Sequence, residues 1–437
     1  MGAAGPAPTH ALISAPRGAA AAAGSVRLTF LGGVDEVGSL GIVLETAGRK
    51  VLLDYGFSPH DPPKYPLEPP DLDALLLSHS HLDHAGMVAW IAGHRHCPIF
   101  ATPTTQYVTE LLAFDSLKIA DIEGWKEPFT DADIERLQDT WQDVRLGRGF
   151  EVDGLRVAPT SAGHIPGSTM YLVEGDERTL FTGDLNTIPT RLMRPAQPVA
   201  CDTLIMESTY AGRDHPPRAQ IEAEFLDAVD EVVERGGLVV VPAFAVGRTQ
   251  ELLLVLKRGG YEVWVDGMGR SVLDIYMRHP DAVKDAAALR AAAESANIVH
   301  SPRGRELALR GDVVVTTSGM VEGGPVYHYL SKMERDRKSA LFMTGYQVPG
   351  TGGRSILDGR VYEDDGVEHR VECDVRQFDF SAHLGHAQLV EFVRACGPEH
   401  VVLIHGDKRE LLAEPLEDDF HVVLAHKGDT VDLAGRR

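Results

Sequence analysis

The sequence is poor in cysteine and has no long apolar run. Its 437 residues include four cysteines and no Cys-x-x-Cys pair, which disfavours zinc knuckles and a disulfide framework. We interpret all four as small buried hydrophobic residues of a cytoplasmic protein in a reducing compartment, namely Cys97, Cys201, Cys373 and Cys396. Because no stretch of about 20 apolar residues occurs, we expect no membrane span.

Positive charge is also scarce. The chain has 42 Lys and Arg against 64 Asp and Glu, a formal net charge of −22. Proteins that bind nucleic acid usually meet its phosphates with Lys and Arg. Such a ligand would therefore require the acidic excess to lie elsewhere, or metal ions to supply the attraction. Residues 1–24 lack the basic start and strongly apolar core of a signal peptide, so we expect a disordered tail, the alternative being a start codon placed too early.

Metal-binding side chains are concentrated in one short stretch. His79, His81, Asp83 and His84 fall within six residues, directly after an apolar run, 75–77, that predicts a buried strand. Side chains two residues apart in an extended segment point the same way. Imidazole and carboxylate suit zinc, and four such groups exceed what one tetrahedral ion needs. The stretch therefore predicts two adjacent metal ions, the alternative being a polar surface loop.

Three more candidate ligands lie far along the chain, each where a predicted strand runs into a loop. They are His164 in an AGHIPGS segment, Asp184 in FTGDLN and His405 after the apolar run 401–404. Because they share this placement with the first cluster, we expect all seven side chains to converge.

The motifs HSHLDH, AGH, TGD and the late HG resemble the metallo-β-lactamase fold. Further segments resemble its β-CASP branch, the nucleic-acid-cleaving subfamily, and the likeness extends over almost everything from residue 26 onward. Within that branch the chain resembles archaeal relatives of the cleavage-and-polyadenylation endonuclease first and ribonuclease J second. The β-CASP-like segments are MESTY (206–210), PAFAVGRTQELL (242–253), TTSGMVEGGP (316–325), TGYQVPGTGGR (344–354) and DFSAHLGH (379–386).

The resemblance implies an α/β fold: a metallo-β-lactamase αββα sandwich interrupted by an inserted β-CASP α/β domain. We expect the first part of the sandwich at 25–208, the insertion at 209–353 and the return at 354–437. Strands that alternate with helices in the insertion predict a mostly parallel sheet.

Two zinc ions per chain are expected in this arrangement. We assign His79, His81 and His164 to one ion, and Asp83, His84 and His405 to the other, with Asp184 as the bridge. Paired zinc ions are one route to in-line displacement at phosphorus.

Asp54 resembles the family's first motif, an aspartate that orients ligands through hydrogen bonds. The alternative is an aspartate that only forms a turn before Gly56.

The resemblance also implies catalytic roles for three residues, namely Asp83, His383 and Glu207. His383 would be the general acid, and the Glu207 carboxylate would orient it and favour its charged form. The family usually has an acidic residue soon after this histidine, whereas Leu384, Gly385 and His386 follow here. We interpret His386 as polar surface at a helix start.

The resemblance implies single-stranded RNA as the substrate, because His occupies position 405, where DNA-repair members have Val. Arg248, Arg270 and Arg354 lie in loops next to glycines and are candidate phosphate contacts, with surface ion pairs as the alternative. Nine further histidines have no ligand spacing and are interpreted as surface residues: His94, His96, His215, His279, His300, His328, His400, His421 and His426.

The leading hypothesis is a zinc-dependent ribonuclease that cuts internally, from the 5′ end, or both. One alternative is a small-molecule metallo-hydrolase such as a thioesterase, although such an enzyme needs no inserted domain. Another is a non-catalytic scaffold of an RNA 3′-end complex, although such a relative should have lost ligands. A homodimer is possible.

Overall fold

The computed structural model describes residues 25–59, 62–95 and 97–434. The tail expected at 1–24 and the histidine at position 96 lie outside the described residues. No helix within these ranges combines the length and apolarity that crossing a membrane requires.

The strands of the described residues fall into three sheets and one hairpin. Those before residue 208 are β1 (Ser25–Gly32), β2 (Gly41–Thr46), β3 (Arg49–Tyr55), β4 (Ala74–Leu76), β5 (Ile99–Ala101), β6 (Trp141–Asp143), β7 (Phe150–Val152), β8 (Leu155–Ser161), β9 (Thr169–Glu174), β10 (Arg178–Phe181) and β11 (Thr203–Glu207). Those after it are β12 (Val239–Pro242), β13 (Val263–Asp266), β14 (Asn297–Ile298), β15 (Val313–Thr316), β16 (Ala340–Met343), β17 (Val361–Asp364), β18 (Val367–Arg370), β19 (Asp374–Gln377), β20 (His400–Ile404), β21 (His421–Val423) and β22 (Thr430–Ala434).

The helices lie mainly between these strands. They are α1 (Leu82–Ala85), α2 (Val88–His94), α3 (Pro103–Glu123), α4 (Asp131–Thr140), α5 (Arg218–Glu234), α6 (Arg248–Leu256), α7 (Gly269–Arg278), α8 (Ala286–Ser295), α9 (Pro302–Ala308), α10 (Pro325–Met333), α11 (Gly352–Gly359), α12 (His386–Cys396) and α13 (Arg409–Ala413), with a 3₁₀ turn at Pro280–Ala282.

Two seven-stranded sheets form the sandwich, in the orders β22-β1-β2-β3-β4-β5-β6 and β21-β20-β11-β10-β9-β8-β7. Their inner faces share one apolar core in which Leu28 and Ile42 of the first sheet join Val173 and Phe181 of the second. Helices α1, α2 and α4 pack on the outside of the first sheet, and α12 and α13 pack on the outside of the second. The αββα architecture implied by the sequence is confirmed.

The third sheet has six strands in the order β14-β13-β15-β12-β16-β19, and every pairing in it is parallel. This agrees with the mostly parallel sheet expected for the insertion. Its edge strand β19 lies beyond residue 353 but pairs with β16 of this sheet. The sequence did not indicate this pairing, because a local pattern predicts a strand without predicting its partner. The division of the chain at 208 and 353 stays a prediction.

Candidate metal centre

The ends of parallel strands bring the candidate ligands together. In the second sheet β10, β11 and β20 run parallel and adjacent, so Asp184, Glu207 and His405 arrive at the same edge. In the first sheet β4 runs into the loop and short helix α1 that carry the early cluster. The sandwich therefore places side chains from both ends of the chain around one point.

Three histidines and one oxygen of Asp184 form the first group. His81 Nδ1 lies 3.1 Å from His79 Nε2 and 3.2 Å from His164 Nε2. Asp184 Oδ2 lies 3.4 Å from His79 Nε2 and 3.6 Å from His164 Nε2. These four atoms are close enough to surround a single cation.

The other oxygen of Asp184 faces a second group. Asp184 Oδ1 lies 3.3 Å from His84 Nε2 and 3.9 Å from His405 Nε2. His405 Nε2 lies 3.4 Å from Asp83 Oδ2. The structure thus brings together all seven side chains singled out in the sequence, which we call the metal centre. Asp184 stands between the two groups, where a bridging ligand would have to lie; the ligand roles themselves stay a prediction.

Outward hydrogen bonds fix the orientation of the histidine rings. Asp54 is fully buried and accepts from Ser78 Oγ at 2.6 Å and from His84 Nδ1 at 2.7 Å. Since the Ser78 hydroxyl proton goes to Asp54, Ser78 Oγ accepts from His79 Nδ1 at 2.9 Å. His164 Nδ1 donates to the carbonyl oxygen of Ala382 at 2.9 Å. These bonds leave the Nε2 lone pairs of His79, His84 and His164 directed into the centre.

Both interpretations of Asp54 describe part of what is seen. The residue has a positive φ of 55° at the end of β3, as a turn-forming aspartate does. It also makes the hydrogen bonds expected of a residue that orients ligands.

The residues present fit a divalent cation. His84 Nε2 and Asp184 Oδ1 face the centre and are buried atoms without a hydrogen-bond partner among the described residues, and buried polar atoms are rarely left in that state. A set of imidazole and carboxylate donors is one that zinc prefers.

Four histidines of the centre fall into two groups by pKa. Burial opposes the charged form of His84, but the carboxylates of Asp184 and Asp83 outweigh burial and raise the pKa of His84 well above its usual value. Three other histidines have lowered pKa values. Burial lowers the pKa of His79 to about 3 and that of His81 to about 4, and it lowers the pKa of His164 well below its usual value. Burial alone would raise the pKa of Asp184, but His84 and His383 outweigh it and lower that pKa well below its usual value. Neutral imidazole and ionised carboxylate are the forms that bind metals.

His383 and Glu207 meet beside the centre, as the resemblance implied. His383 Nδ1 lies 2.9 Å from Glu207 Oε2, and its Nε2 lies 4.0 Å from Asp184 Oδ2. Burial opposes the charged ring, but the carboxylates of Glu207 and Asp184 outweigh burial and raise the pKa of His383 to about 9. Glu207 is itself fixed by the backbone N–H of Leu185, which donates to Oε1 at 2.6 Å.

The three candidate arginines have different surroundings. Arg248 Nη1 is buried and has no hydrogen-bond partner among the described residues, and burial and the nearby Arg218 lower the pKa of Arg248 to about 10. Arg270 instead donates to the carbonyl oxygen of Val299. Arg354 is partly exposed and pairs with Asp358 at 2.8 Å. Arg248 alone among the three therefore keeps a buried donor free for an anion.

Two histidines interpreted as surface residues are not on the surface. His400 is buried, and its Nδ1 lies 2.9 Å from His421 Nδ1. His215 is largely buried, with its Nδ1 2.9 Å from Asp379 Oδ2 and its ring 4.3 Å from that of Tyr210. Their positions depend on tertiary packing that no spacing reveals. His386 begins α12, as expected of a helix-start residue, and its Nδ1 accepts from Gly212 N at 3.1 Å.

Tyr210 was missed by the search for candidate site residues, although it lies in the MESTY segment. Its ring centroid is 5.7 Å from that of His383. The available signal was its place in the sequence, three residues after Glu207.

Comparison with protein families matches three models along the chain. They are the metallo-beta-lactamase superfamily at residues 34–243, the Beta-Casp domain at 249–356 and the Zn-dependent metallo-hydrolase RNA specificity domain at 368–424. RNase aCSPSF2 of Saccharolobus solfataricus is 34% identical over 424 residues, covering 93% of this chain and 85% of the relative. Transcription termination factor FttA of Methanocaldococcus jannaschii is 32% identical, covering 89% of this chain and 68% of the relative.

A solved structure supports the same fold. A crystal structure of a protein of unknown function from Enterococcus faecalis V583 superposes with a TM-score of 0.64 at 13% identity, covering 94% of this chain and all of that one. Fold, site and relatives define a hydrolase of the metallo-β-lactamase superfamily with a divalent-metal centre. Within it, this chain belongs to the β-CASP branch of RNA-cleaving enzymes that resemble the cleavage and polyadenylation specificity factor.

Proposed function

We propose that the protein is a zinc-dependent ribonuclease that hydrolyses phosphodiester bonds of single-stranded RNA, as an endonuclease, a 5′–3′ exonuclease or both. The observation that carries this proposal is the position of Asp184, with Oδ2 toward one ligand group and Oδ1 toward the other. A carboxylate with one oxygen toward each ligand group fits a site for two metal ions. The relative named RNase aCSPSF2 supports the choice of RNA.

Two zinc ions per chain belong to this proposal. His79, His81 and His164 would hold one ion, and Asp83, His84 and His405 the other, with Asp184 shared. Bound there, the ions supply Lewis-acid activation of water and neutralise the negative charge of the phosphate. The second role matters in a chain with a net charge of −22, because arginine and lysine supply less attraction here than in most nucleic-acid-binding proteins.

His383 is the proposed general acid. Its Nδ1 is bonded to Glu207, so the proton available for transfer is on Nε2, the atom nearer Asp184. A raised pKa keeps that proton in place at neutral pH, where the departing oxygen of a cleaved phosphodiester needs it. Arg248 Nη1 is the proposed side-chain contact to a substrate phosphate.

A direct test uses metal analysis and RNA of defined 5′ ends. We expect purified protein to hold about two zinc ions and to cut labelled single-stranded RNA carrying a 5′-phosphate or a 5′-triphosphate. The map of products separates internal from 5′-end cutting. Intact RNA together with hydrolysis of thioesters would favour a small-molecule hydrolase. A protein that binds metal and RNA but cuts no RNA would favour a scaffold. The homodimer and the cytoplasmic location stay predictions.

A further inference from the structure

Two exposed aromatic side chains stand at neighbouring strand ends of the third sheet. Phe244 follows β12 and Tyr346 follows β16, and these strands pair in parallel with Val240 opposite Leu341. Thr344 Oγ1 donates to the carbonyl oxygen of Pro242 at 3.2 Å, which holds the two loops side by side. Phe244 is 40% exposed and Tyr346 43% exposed. We call the loops 243–247, 317–324 and 344–351, which leave the carboxyl ends of β12, β15 and β16, the third-sheet edge.

The third-sheet edge abuts the metal centre. A Cβ added at Gly247 would lie 2.7 Å from Ile165 Cγ2, and Ile165 directly follows the candidate ligand His164. Ligands of parallel sheets commonly bind beyond the carboxyl ends of the strands, so the exposed rings lie where a substrate of this centre would pass.

Arg213 links Tyr346 to the proposed general acid. The Arg213 guanidinium carbon lies 6.0 Å from the ring centroid of Tyr346 and 5.5 Å from that of Tyr210. Tyr210 in turn contacts His383. Arg213 Nη2 donates to Asp379 Oδ2 at 3.1 Å, which restrains the guanidinium near both rings. One side chain, Tyr210, thus separates Arg213 from the proton donor, and two side chains separate Tyr346 from it.

Stacking of an unpaired base is the interaction that such a surface fits. Single-stranded nucleic acids are held by bases that stack on aromatic rings and arginine planes, whereas bases in a duplex have both faces covered by their neighbours. Arg248 begins α6 directly after the loop that carries Phe244, and its Nη1, which has no hydrogen-bond partner among the described residues, is a donor for an anion next to the stacked base.

We propose that Tyr346, Arg213 and Phe244 form a stacking surface that holds an unpaired base beside the phosphate to be cut. This proposal rests on the proposed ribonuclease function. It assigns to the third-sheet edge the selection of single-stranded over duplex RNA. The selecting contact is stacking on two aromatic rings and on the flat face of one guanidinium group, rather than attraction to phosphate.

The test compares ring loss with ring retention in the metal-loaded protein. Tyr346→Ala is expected to raise the KM for a labelled single-stranded RNA about 5-fold or more, the range that loss of one base–aromatic stack gives, with kcat within about twofold. Tyr346→Phe keeps the ring and should match the unsubstituted protein. Phe114→Ala, which removes a ring that is 46% exposed on α3, is the control for loss of an exposed aromatic residue elsewhere.

A scan of abasic nucleotides identifies the contact itself. In the unsubstituted protein one abasic position should raise KM by a similar factor, and Tyr346→Ala should lose that sensitivity, which a general structural defect would not cause. Equal KM values and equal abasic profiles for the two proteins would overturn the stacking surface while leaving ribonuclease activity in place. If RNA is bound but not cut, Kd from fluorescence anisotropy replaces KM, and the proposed function alone fails. If RNA is not bound, both proposals fail.

Discussion

The metal centre and the third-sheet edge lie side by side but are built in opposite ways. In the centre His79, His84 and His405 are at most 1% exposed, and Asp184 is 3% exposed. At the edge Phe244 and Tyr346 keep two fifths or more of their surface exposed. Side chains in one hydrogen-bonded network are coupled, so the loss of one disturbs the others. Exposed rings have fewer neighbours, so the loss of one ring has a smaller effect on the rest. Substitutions in the centre should therefore cost much more activity than substitutions at the edge.

The largest expected effect comes from Asp184→Ala. This change removes the carboxylate that faces both ligand groups, so we expect loss of bound metal and a fall in RNA cutting greater than about 100-fold, beyond what removal of a residue behind a metal ligand costs. Metal content by mass spectrometry and cutting of labelled RNA measure the two effects. Asp121→Ala, an exposed aspartate of α3, is the matched control. Cutting at the unsubstituted rate would remove the basis of the proposed mechanism.

Asp54→Asn tests the centre from outside the ligand groups. The amide can accept only through one oxygen, whereas Asp54 serves Ser78 N, Ser78 Oγ and His84 Nδ1 with two. We expect metal affinity to fall about 10- to 100-fold, measured by competition with a chelator. Asp153→Asn is the control, because Asp153 also has a positive φ, 45°, at a strand end but lies in an exposed turn. Unchanged metal affinity in Asp54→Asn would leave Asp54 a turn residue only.

Much of the centre follows from the sequence because its signals are local. An apolar strand that runs into a His- and Asp-rich loop can be recognised within about ten residues, and this holds for His79, His164, Asp184 and His405. Their shared placement at strand ends predicted that they converge, and the family resemblance implied the same arrangement. The resemblance indicated that Asp54 orients ligands through hydrogen bonds, but neither source gave Ser78 as one of its partners, because that contact depends on the positive φ of Asp54 and on strand register.

The surroundings of the centre were harder to foresee. Glu207 and His383 are 176 residues apart, and their meeting was inferred from resemblance rather than from spacing. Whether an arginine is free depends on its neighbours in space, so Arg248 could not be told apart from Arg270 by the glycines beside each. His215 and His400 were misassigned to the surface for the same reason. Only for Arg354 was the partner visible, since Asp358 lies one helical turn away.

The pH dependence of cutting probes the boundary between the two regions. The raised pKa of His383, about 9, means that its proton is present below that pH and lost as pH rises through it. The rate should therefore fall on the alkaline side near that value. Glu207→Gln removes the carboxylate that favours the charged ring, so the alkaline limb should move to lower pH and the rate at pH 8 should fall roughly 10-fold.

Rate profiles from pH 5 to 10 at saturating RNA check this expectation. His383→Asn should remove the limb altogether, which distinguishes loss of the acid from a lowered pKa. An alkaline limb that stays at the same pH in Glu207→Gln would contradict the role given to Glu207.

The smallest expected effects lie among the arginines, where Arg248→Ala and Arg354→Ala form a matched pair. Arg248 has a buried donor that no described residue accepts from, whereas the Arg354 guanidinium donates to Asp358. If Arg248 meets a phosphate, its removal should reduce the slope of log Kd against log salt by about 0.7, the value for one contact to a single strand. Arg354→Ala should leave the slope unchanged and Kd within about twofold. Equal slopes for the two variants would show that a free buried donor does not identify the phosphate contact, and the charge that attracts RNA would then have to come from the metal centre itself.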